Sequence, residues 1–120
     1  MTIALKRPKL GYNYIMKTIT EQLIAEKELL SNPSRWTKGA IATNVDGFQA
    51  LAQSDEAVCW CQLGASIKLR SSYTARVIKW QVANSRGFLN SMVFNDSVST
   101  THEKLMAFYD ECIKEAERQG

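Results

Sequence analysis

Apolar residues recur at helical spacing in several stretches of the chain, and these stretches predict its secondary structure. The first stretch predicts a helix that begins near Tyr14 or Thr18 and runs to Leu30. Pro33 ends it, because proline keeps the residue before it out of the helical region. The apolar stripe of this helix comprises Ile15, Ile19, Leu23, Ile24 and Leu30.

The middle of the chain combines a turn signal with a second, more apolar helix. Asp46-Gly47 within residues 36–48 predicts a short β-hairpin or an ordered loop. Ser54-Asp55-Glu56 has the hydroxyl cap and the acids of a helix N-terminus, so we expect the central, most buried helix from there to Leu69. Gly64 lies inside this helix at a cost of up to about 1 kcal/mol relative to alanine, which predicts a close backbone approach.

The last third of the chain predicts two helices and one ambiguous segment. A helix begins at Ser72 or Tyr73 and ends at residues 84–87. Residues 88–94 fit either a short strand or a helical turn that ends at Asn90-Ser91. Thr100 and Glu103 form the sequence pattern of a capping box for the final helix. Together these patterns predict a mainly α fold. We expect a basic N-terminal arm at residues 1–13, then one compact domain of about four helices at residues 14–120.

Composition supports one globular domain and excludes several other classes of protein. The chain has 120 residues, of which 45% are hydrophobic and 22% charged, and a single core is sufficient at this length. No apolar run approaches the roughly 18 residues of a membrane span, and no export signal is present, so we expect a cytoplasmic protein with no membrane partner. An odd number of cysteines, three, predicts reduced thiols.

Charge is divided into blocks that the net value of +3 conceals. Residues 1–38 carry +4, residues 39–60 carry −3, residues 61–86 carry +5 and residues 87–120 carry −3. The block at residues 61–86 contains no acid at all. This distribution predicts a dipolar surface with one face that attracts anions.

Candidate catalytic and metal-binding groups are few. Cys61 with His102 and Asp96 or Asn95 makes a formal Cys-His-Asx set, although a buried structural cysteine is the favoured interpretation. A four-ligand zinc site would need all three cysteines and His102, so we predict no metal. Phosphate-binding glycine loops are absent, and no cofactor is predicted.

Basic and aromatic side chains supply the candidate binding residues. Arg76 and Lys79 are three residues apart on the predicted third helix, and Lys68 and Arg70 precede them. A solvated basic face is the alternative interpretation of these four residues. Trp36, Trp60 and Trp80 are candidates for stacking on a ligand ring, although a place in the core is the favoured interpretation of any one tryptophan.

Several motifs occur in an order that resembles a small-domain family of bacteria and their phages. Its members share a W-x-x-G segment, a W-C-x-x-G-A segment and an aromatic-Asn-Asp sequence before a last helix. The resemblance covers most of residues 17–117, and it implies a fold and candidate positions but no reaction. The basic block and the N-terminal arm depart from the family pattern. The matching positions are Trp36, Gly39, Gly47, Cys61, Gly64, Ala65, Asn95 and Asp96.

These observations predict an accessory protein of a phage or mobile element that acts by binding in the host cytoplasm. The first hypothesis is capture of a small anionic, nucleotide-like ligand of host defence by a homo-oligomer. The alternatives are an inhibitor whose basic face docks on an acidic host protein and, less favoured, a cysteine-dependent enzyme that uses Cys61 and His102. Nucleic acid is a weaker candidate partner. The predicted ligand-binding residues are Trp36, Lys68, Arg70, Arg76, Lys79, Trp80, Asn95 and Asp96.

Overall fold

A computed structural model describes residues 17–120 and shows a mainly α-helical domain, as predicted. The predicted arm at residues 1–13 lies outside the described residues. Two short strands, β1 (Ala42–Thr43) and β2 (Cys59–Trp60), pair antiparallel with Ala42 opposite Trp60. The helices of residues 17–120 are α1 (Ile19–Leu30), a 3-10 turn (Pro33–Arg35), α2 (Gln62–Leu69), α3 (Tyr73–Ser85), α4 (Ser91–Asp96) and α5 (His102–Gln119).

Side-chain caps define the starts of the first and last helices. Thr18 and Glu21 form a complete capping box on α1, which confirms the later of its two predicted starts. The capping box predicted for Thr100 is wrong, because the hydroxyl of Thr100 donates to the carbonyl of Phe94 at 2.6 Å. Thr101 caps α5 instead, and its hydroxyl accepts from the Lys104 N–H.

The second helix begins later than the sequence predicts, so the predicted start at Ser54-Asp55-Glu56 is wrong. Its first residue is Gln62, and Cys61 is the N-cap, with Sγ accepting from the Gly64 N–H at 3.3 Å. The preceding backbone is held by β1, since the Val58 N–H donates to the Thr43 carbonyl at 2.9 Å. Strand pairing therefore uses the backbone groups that a longer helix would need.

In the ambiguous segment at residues 88–94, a helix begins where the helical prediction placed the end of one, and the segment forms no strand. Asn90 does not end a helix but begins α4, because its Oδ1 accepts from the Val93 N–H at 2.8 Å. This short helix carries the Asn95-Asp96 pair at its C-terminal end. Its position therefore decides where that pair lies.

The core forms where α1, α2, α3 and α5 pack together. Leu23 and Leu30 of α1 and Leu105 and Phe108 of α5 are fully buried. Phe94 of α4 stacks on Phe108 with ring centroids 4.5 Å apart, which joins the short helix to this core. Among residues 17–120, no helix is both long and apolar enough to cross a membrane.

Gly64 lies where α2 meets the backbone just before β1. A Cβ atom built on Gly64 would overlap the carbonyl oxygen of Ile41. The same carbonyl accepts from the Cys61 N–H at 3.0 Å, so it cannot move away without loss of that bond. The close backbone approach predicted from the sequence is confirmed.

We expect Gly64→Ala to destabilise the protein by about 1–3 kcal/mol, because the added methyl group displaces the backbone of Ile41. Helix propensity alone predicts the opposite sign, with a gain of about 1 kcal/mol. Urea unfolding followed by circular dichroism measures the difference. Ala107→Gly, at an exposed position inside α5, is the control for propensity and is expected to cost about 1 kcal/mol. A more stable Gly64→Ala variant would contradict the close approach.

Candidate ligand-binding cleft

The side chain of Asn95 connects three segments that are distant in sequence. It is fully buried at the end of α4. Its Oδ1 accepts from the Trp36 indole N–H at 2.8 Å and from the Gln62 backbone N–H at 3.1 Å. Its Nδ2 donates to the Thr37 carbonyl at 3.1 Å and to Asp96 at 2.9 Å. All four hydrogen-bonding positions of the amide are used, so Asn95 positions its neighbours rather than a ligand.

Asp96 is held on one side and open on the other. Its Oδ1 accepts from the Gly39 backbone N–H at 3.0 Å and from Nδ2 of Asn95. Its Oδ2 accepts no hydrogen bond from any of residues 17–120 in the structure, and the side chain is exposed. One oxygen therefore fixes the orientation of the carboxylate and the other is available to a ligand.

A cleft of about 770 Å³ lies beside this carboxylate. It is lined by residues 39–42 and 49–54, together with Ile67, Met92 and Asp96. Most of these side chains are apolar, and among the described lining residues only Asp96 is charged. A concave apolar surface with one oriented polar group has the features and size of a small-molecule site.

Lys79 does not lie on the basic surface predicted for it. Its side chain is 1% exposed and its ammonium lies in the core. Nζ donates to Glu26 Oε1 at 2.7 Å, to the Gln62 carbonyl at 2.7 Å and to the Ser66 hydroxyl at 2.6 Å. All three donors of the ammonium are used inside the protein, so Lys79 has none left for a ligand.

Glu26 completes this buried network from the other side. Its Oε1 also accepts from the Tyr109 hydroxyl at 2.7 Å, and its Oε2 accepts from the Ser66 hydroxyl at 2.8 Å. Burial and the adjacent carboxylate of Glu26 raise the pKa of Tyr109 well above its ordinary value. Tyr109 is therefore a hydroxyl donor, and the network joins α1, α2, α3 and α5.

The other predicted basic residues do not converge on the cleft. Lys68 is half-buried, and its Nζ lies 5.8 Å from the centre of the Trp60 ring. Arg70 is exposed at the end of α2 in the left-handed region, with φ of 58°. Arg76 and Trp80 are exposed on α3. None of these four residues lines the cleft.

Trp36 does not line the cleft either, but its indole N–H donates to Asn95, the neighbour of Asp96. Its ring is half-buried and lies 6.0 Å from the ring of His102. The structure therefore brings together Trp36, Asn95 and Asp96 from the predicted set, and it leaves the basic residues elsewhere.

The Cys61 and His102 side chains have separate partners. Cys61 Sγ lies 3.8 Å from Met92 Sδ, and burial raises the pKa of the Cys61 thiol. Nε2 of His102 is bonded to the Leu30 carbonyl at 2.7 Å. A raised thiol pKa keeps the sulfur protonated, which disfavours a nucleophile. In the described part of the chain, no three His, Cys, Asp or Glu side chains form a metal-binding group.

Several residues of the cleft were not predicted from the sequence. Met92 lies in the segment that the sequence left ambiguous, and residues 49–53 carry no motif. These residues line the cleft because the tertiary structure places them there. Asn95 and Asp96 hold α4 next to the backbone that leads into residues 39–42. Glu26, in contrast, had a signal, because it lies on the same helical face as Leu23 and Leu30.

Comparisons with known proteins give no relative. No family model, no curated protein sequence and no solved structure matches this chain. The resemblance stated above therefore rests on its motifs alone, and the function is argued from the site.

We expect Lys79→Met to destabilise the protein by about 3–5 kcal/mol, because the carboxylate of Glu26 loses its buried countercharge. The double variant Glu26→Leu/Lys79→Met removes both charges and is expected to recover part of this loss. Urea unfolding of the two variants and the wild type measures both effects. A Lys79→Met variant within 1 kcal/mol of the wild type would contradict a buried, charged pair.

The stability of the protein is expected to fall above pH 9 because of Cys112. Burial raises the pKa of this thiol from 9.0 to about 12. Between these values the unfolded chain loses the thiol proton and the folded chain keeps it. The free energy of unfolding therefore falls by about 1.4 kcal/mol per pH unit from this residue alone.

Urea unfolding at pH 8, 9, 10 and 11 measures this slope, with Cys112→Ala as the comparison. The free energy of unfolding of Cys112→Ala is expected to be lower at pH 8, since the substitution leaves a small cavity. It is also expected to fall less steeply as the pH rises. Cys59→Ala is the control, because Cys59 is only partly buried. Equal slopes for the wild type and Cys112→Ala would contradict the prediction.

Proposed function

We propose that this protein is a binding module that captures a nucleotide-like ligand by the amino edge of its base, in the cleft beside Asp96. The observation that carries the proposal is the carboxylate of Asp96. One of its oxygens is fixed by Gly39 and Asn95, and the other accepts nothing from the described residues. Such a group accepts an N–H from a ligand without any rearrangement of the protein.

The charge of the site determines which part of the ligand it holds. No cation lines the cleft among the described residues, and Lys79, the central member of the predicted basic site, is in the core. A phosphate group therefore has no partner at the cleft. An exocyclic amino group of adenine, cytosine or guanine is an N–H donor, and carboxylates accept from such groups in nucleic-acid recognition.

The walls of the cleft suit the flat, weakly polar faces of a base. Ile41, Leu51, Ile67 and Met92 supply apolar side chains along the lining. Methionine sulfur makes favourable contacts with aromatic rings and adapts its shape to them. A volume of about 770 Å³ accommodates a nucleoside with space for solvent.

Matched pairs of nucleosides test this proposal. Adenosine and purine riboside differ only by the exocyclic amino group, as do cytidine and 2-pyrimidinone riboside, and no ring N–H replaces the lost donor in either pair. Because an N–H bond to a carboxylate is worth about 1.5–3 kcal/mol, we expect the amino member of a pair to bind about 10- to 100-fold more tightly. Isothermal titration calorimetry measures each affinity, and chemical-shift changes at residues 39–54 locate the ligand.

Asp96→Asn is the decisive variant. The amide keeps an oxygen for the Gly39 N–H but loses the charge and becomes a donor at the other position. We expect it to lose the preference for amino-bearing nucleosides. Asp110→Asn makes the same chemical change on α5, where Asp110 pairs with Lys27, and should bind like the wild type. Equal affinity for both members of each pair, or no nucleoside binding, would refute the proposal.

A further inference from the structure

The outward face of α3 carries two aromatic side chains that contact solvent. Tyr73 is 80% exposed and Trp80 is 49% exposed. They are seven residues apart, so they lie on the same side of the helix, about 10 Å apart along its axis. Arg76 is exposed between them, about one turn from each. Phe94, Phe108 and Tyr109, in contrast, are buried.

The stretch of sequence that contains this face is positively charged. Residues 61–86 contain five bases and no acid. The structure removes two of these bases from the surface charge, because Lys79 is paired in the core and Arg86 bonds to Glu111 at 2.6 Å. Arg76 remains exposed on α3, and Lys68 lies partly exposed at the end of α2, the helix that precedes it.

Glu21 lies near the start of α3, but its carboxylate is hydrogen-bonded within α1. Gln22 of α1 accepts from the Ser72 N–H at 2.7 Å, which places the first turn of α1 beside this face. Glu21, the neighbour of Gln22, directs Oε1 to the Thr18 N–H at 2.9 Å as part of its capping box. The carboxylate of Glu21 thus serves the N-terminus of α1.

We propose that Tyr73, Arg76 and Trp80 form a binding surface for single-stranded nucleic acid. The two rings stack on bases, and the guanidinium between them pairs with a backbone phosphate. Exposed aromatic rings next to cations are the combination that sequence-independent single-strand binding uses, because every base offers a flat face. This surface is separate from the Asp96 cleft.

Fluorescence anisotropy with a labelled 15-residue oligothymidine at low salt tests the proposal on the full chain. The proposed surface is separate from the Asp96 cleft, so Asp96→Asn should bind this strand like the wild type. Tyr73→Ala and Trp80→Ala are each expected to weaken binding by about 5-fold or more, because each removes a stacking ring. Tyr73 is so exposed that its replacement leaves the fold unchanged.

Arg76→Gln tests the phosphate contact. It should weaken binding and reduce the slope of log affinity against log salt concentration by about one. Lys114→Gln is the matched control, since Lys114 is an exposed base on α5, and it should stay within about 2-fold of the wild type.

Three results would overturn the proposal. The first is no binding of the oligonucleotide by the wild type. The second is equal losses in Arg76→Gln and Lys114→Gln with no loss in Tyr73→Ala and Trp80→Ala, which would show diffuse attraction between charges. The third is a poly-glutamate chain that displaces the oligonucleotide and binds Tyr73→Ala and Trp80→Ala as tightly as the wild type, which would assign the surface to an acidic protein.

Discussion

The fold depends on a buried ion pair at the point where four helices meet. Lys79 of α3 and Glu26 of α1 are both withdrawn from solvent, and α2 and α5 supply their remaining partners through Ser66 and Tyr109. A charge in such a place is costly unless every donor and acceptor is satisfied. The polar side chains that the four helices contribute must therefore lie within hydrogen-bonding distance of one another in the core. These hydrogen bonds join α1, α2, α3 and α5 at one place in the core.

A second polar centre extends this arrangement to the irregular part of the chain. Asn95 bonds to the Trp36 indole, to the carbonyl of Thr37 and to the first backbone N–H of α2, and Lys38 donates to two carbonyls of the α4–α5 connection at 2.7 Å each. Residues 36–39 are thereby attached to α4. The Gly39 N–H then orients Asp96, so the geometry of the cleft is a consequence of these contacts. Gln62 links the two centres, since its N–H meets Asn95 and its carbonyl meets Lys79.

Local patterns predicted most of the helical structure. The buried Leu23 and Leu30 of α1, the start of α3 at Ser72 and Tyr73, and the long amphipathic α5 all follow from residue spacing and caps within one turn. The predicted α1 stripe was wrong at Ile24, which is 38% exposed, and its member Ile15 lies outside the described residues. The predicted start of α2 at Ser54 was wrong, because the competing strand contacts come from residues 41–43, more than ten positions away. Asparagine occurs at both the start and the end of helices, so the sequence did not determine the role of Asn90. Its bond to the Val93 N–H shows that it caps the start of α4.

The candidate site was predicted only in part, and the division has a physical cause. The sequence by itself determined the helical class and the close approach at Gly64, because helical periodicity and the requirement for a glycine are local. Its motifs named Trp36, Asn95 and Asp96 as candidates, and the position of α4 then decided where Asn95 and Asp96 lie. Whether Lys79 faces solvent or the core depends on an acid on another helix 53 residues away. Only the tertiary structure decided that this lysine pairs with Glu26, and that the open oxygen of Asp96 lies beside an apolar cleft. Ion pairs and clefts are made by side chains that the fold brings together from distant parts of the sequence.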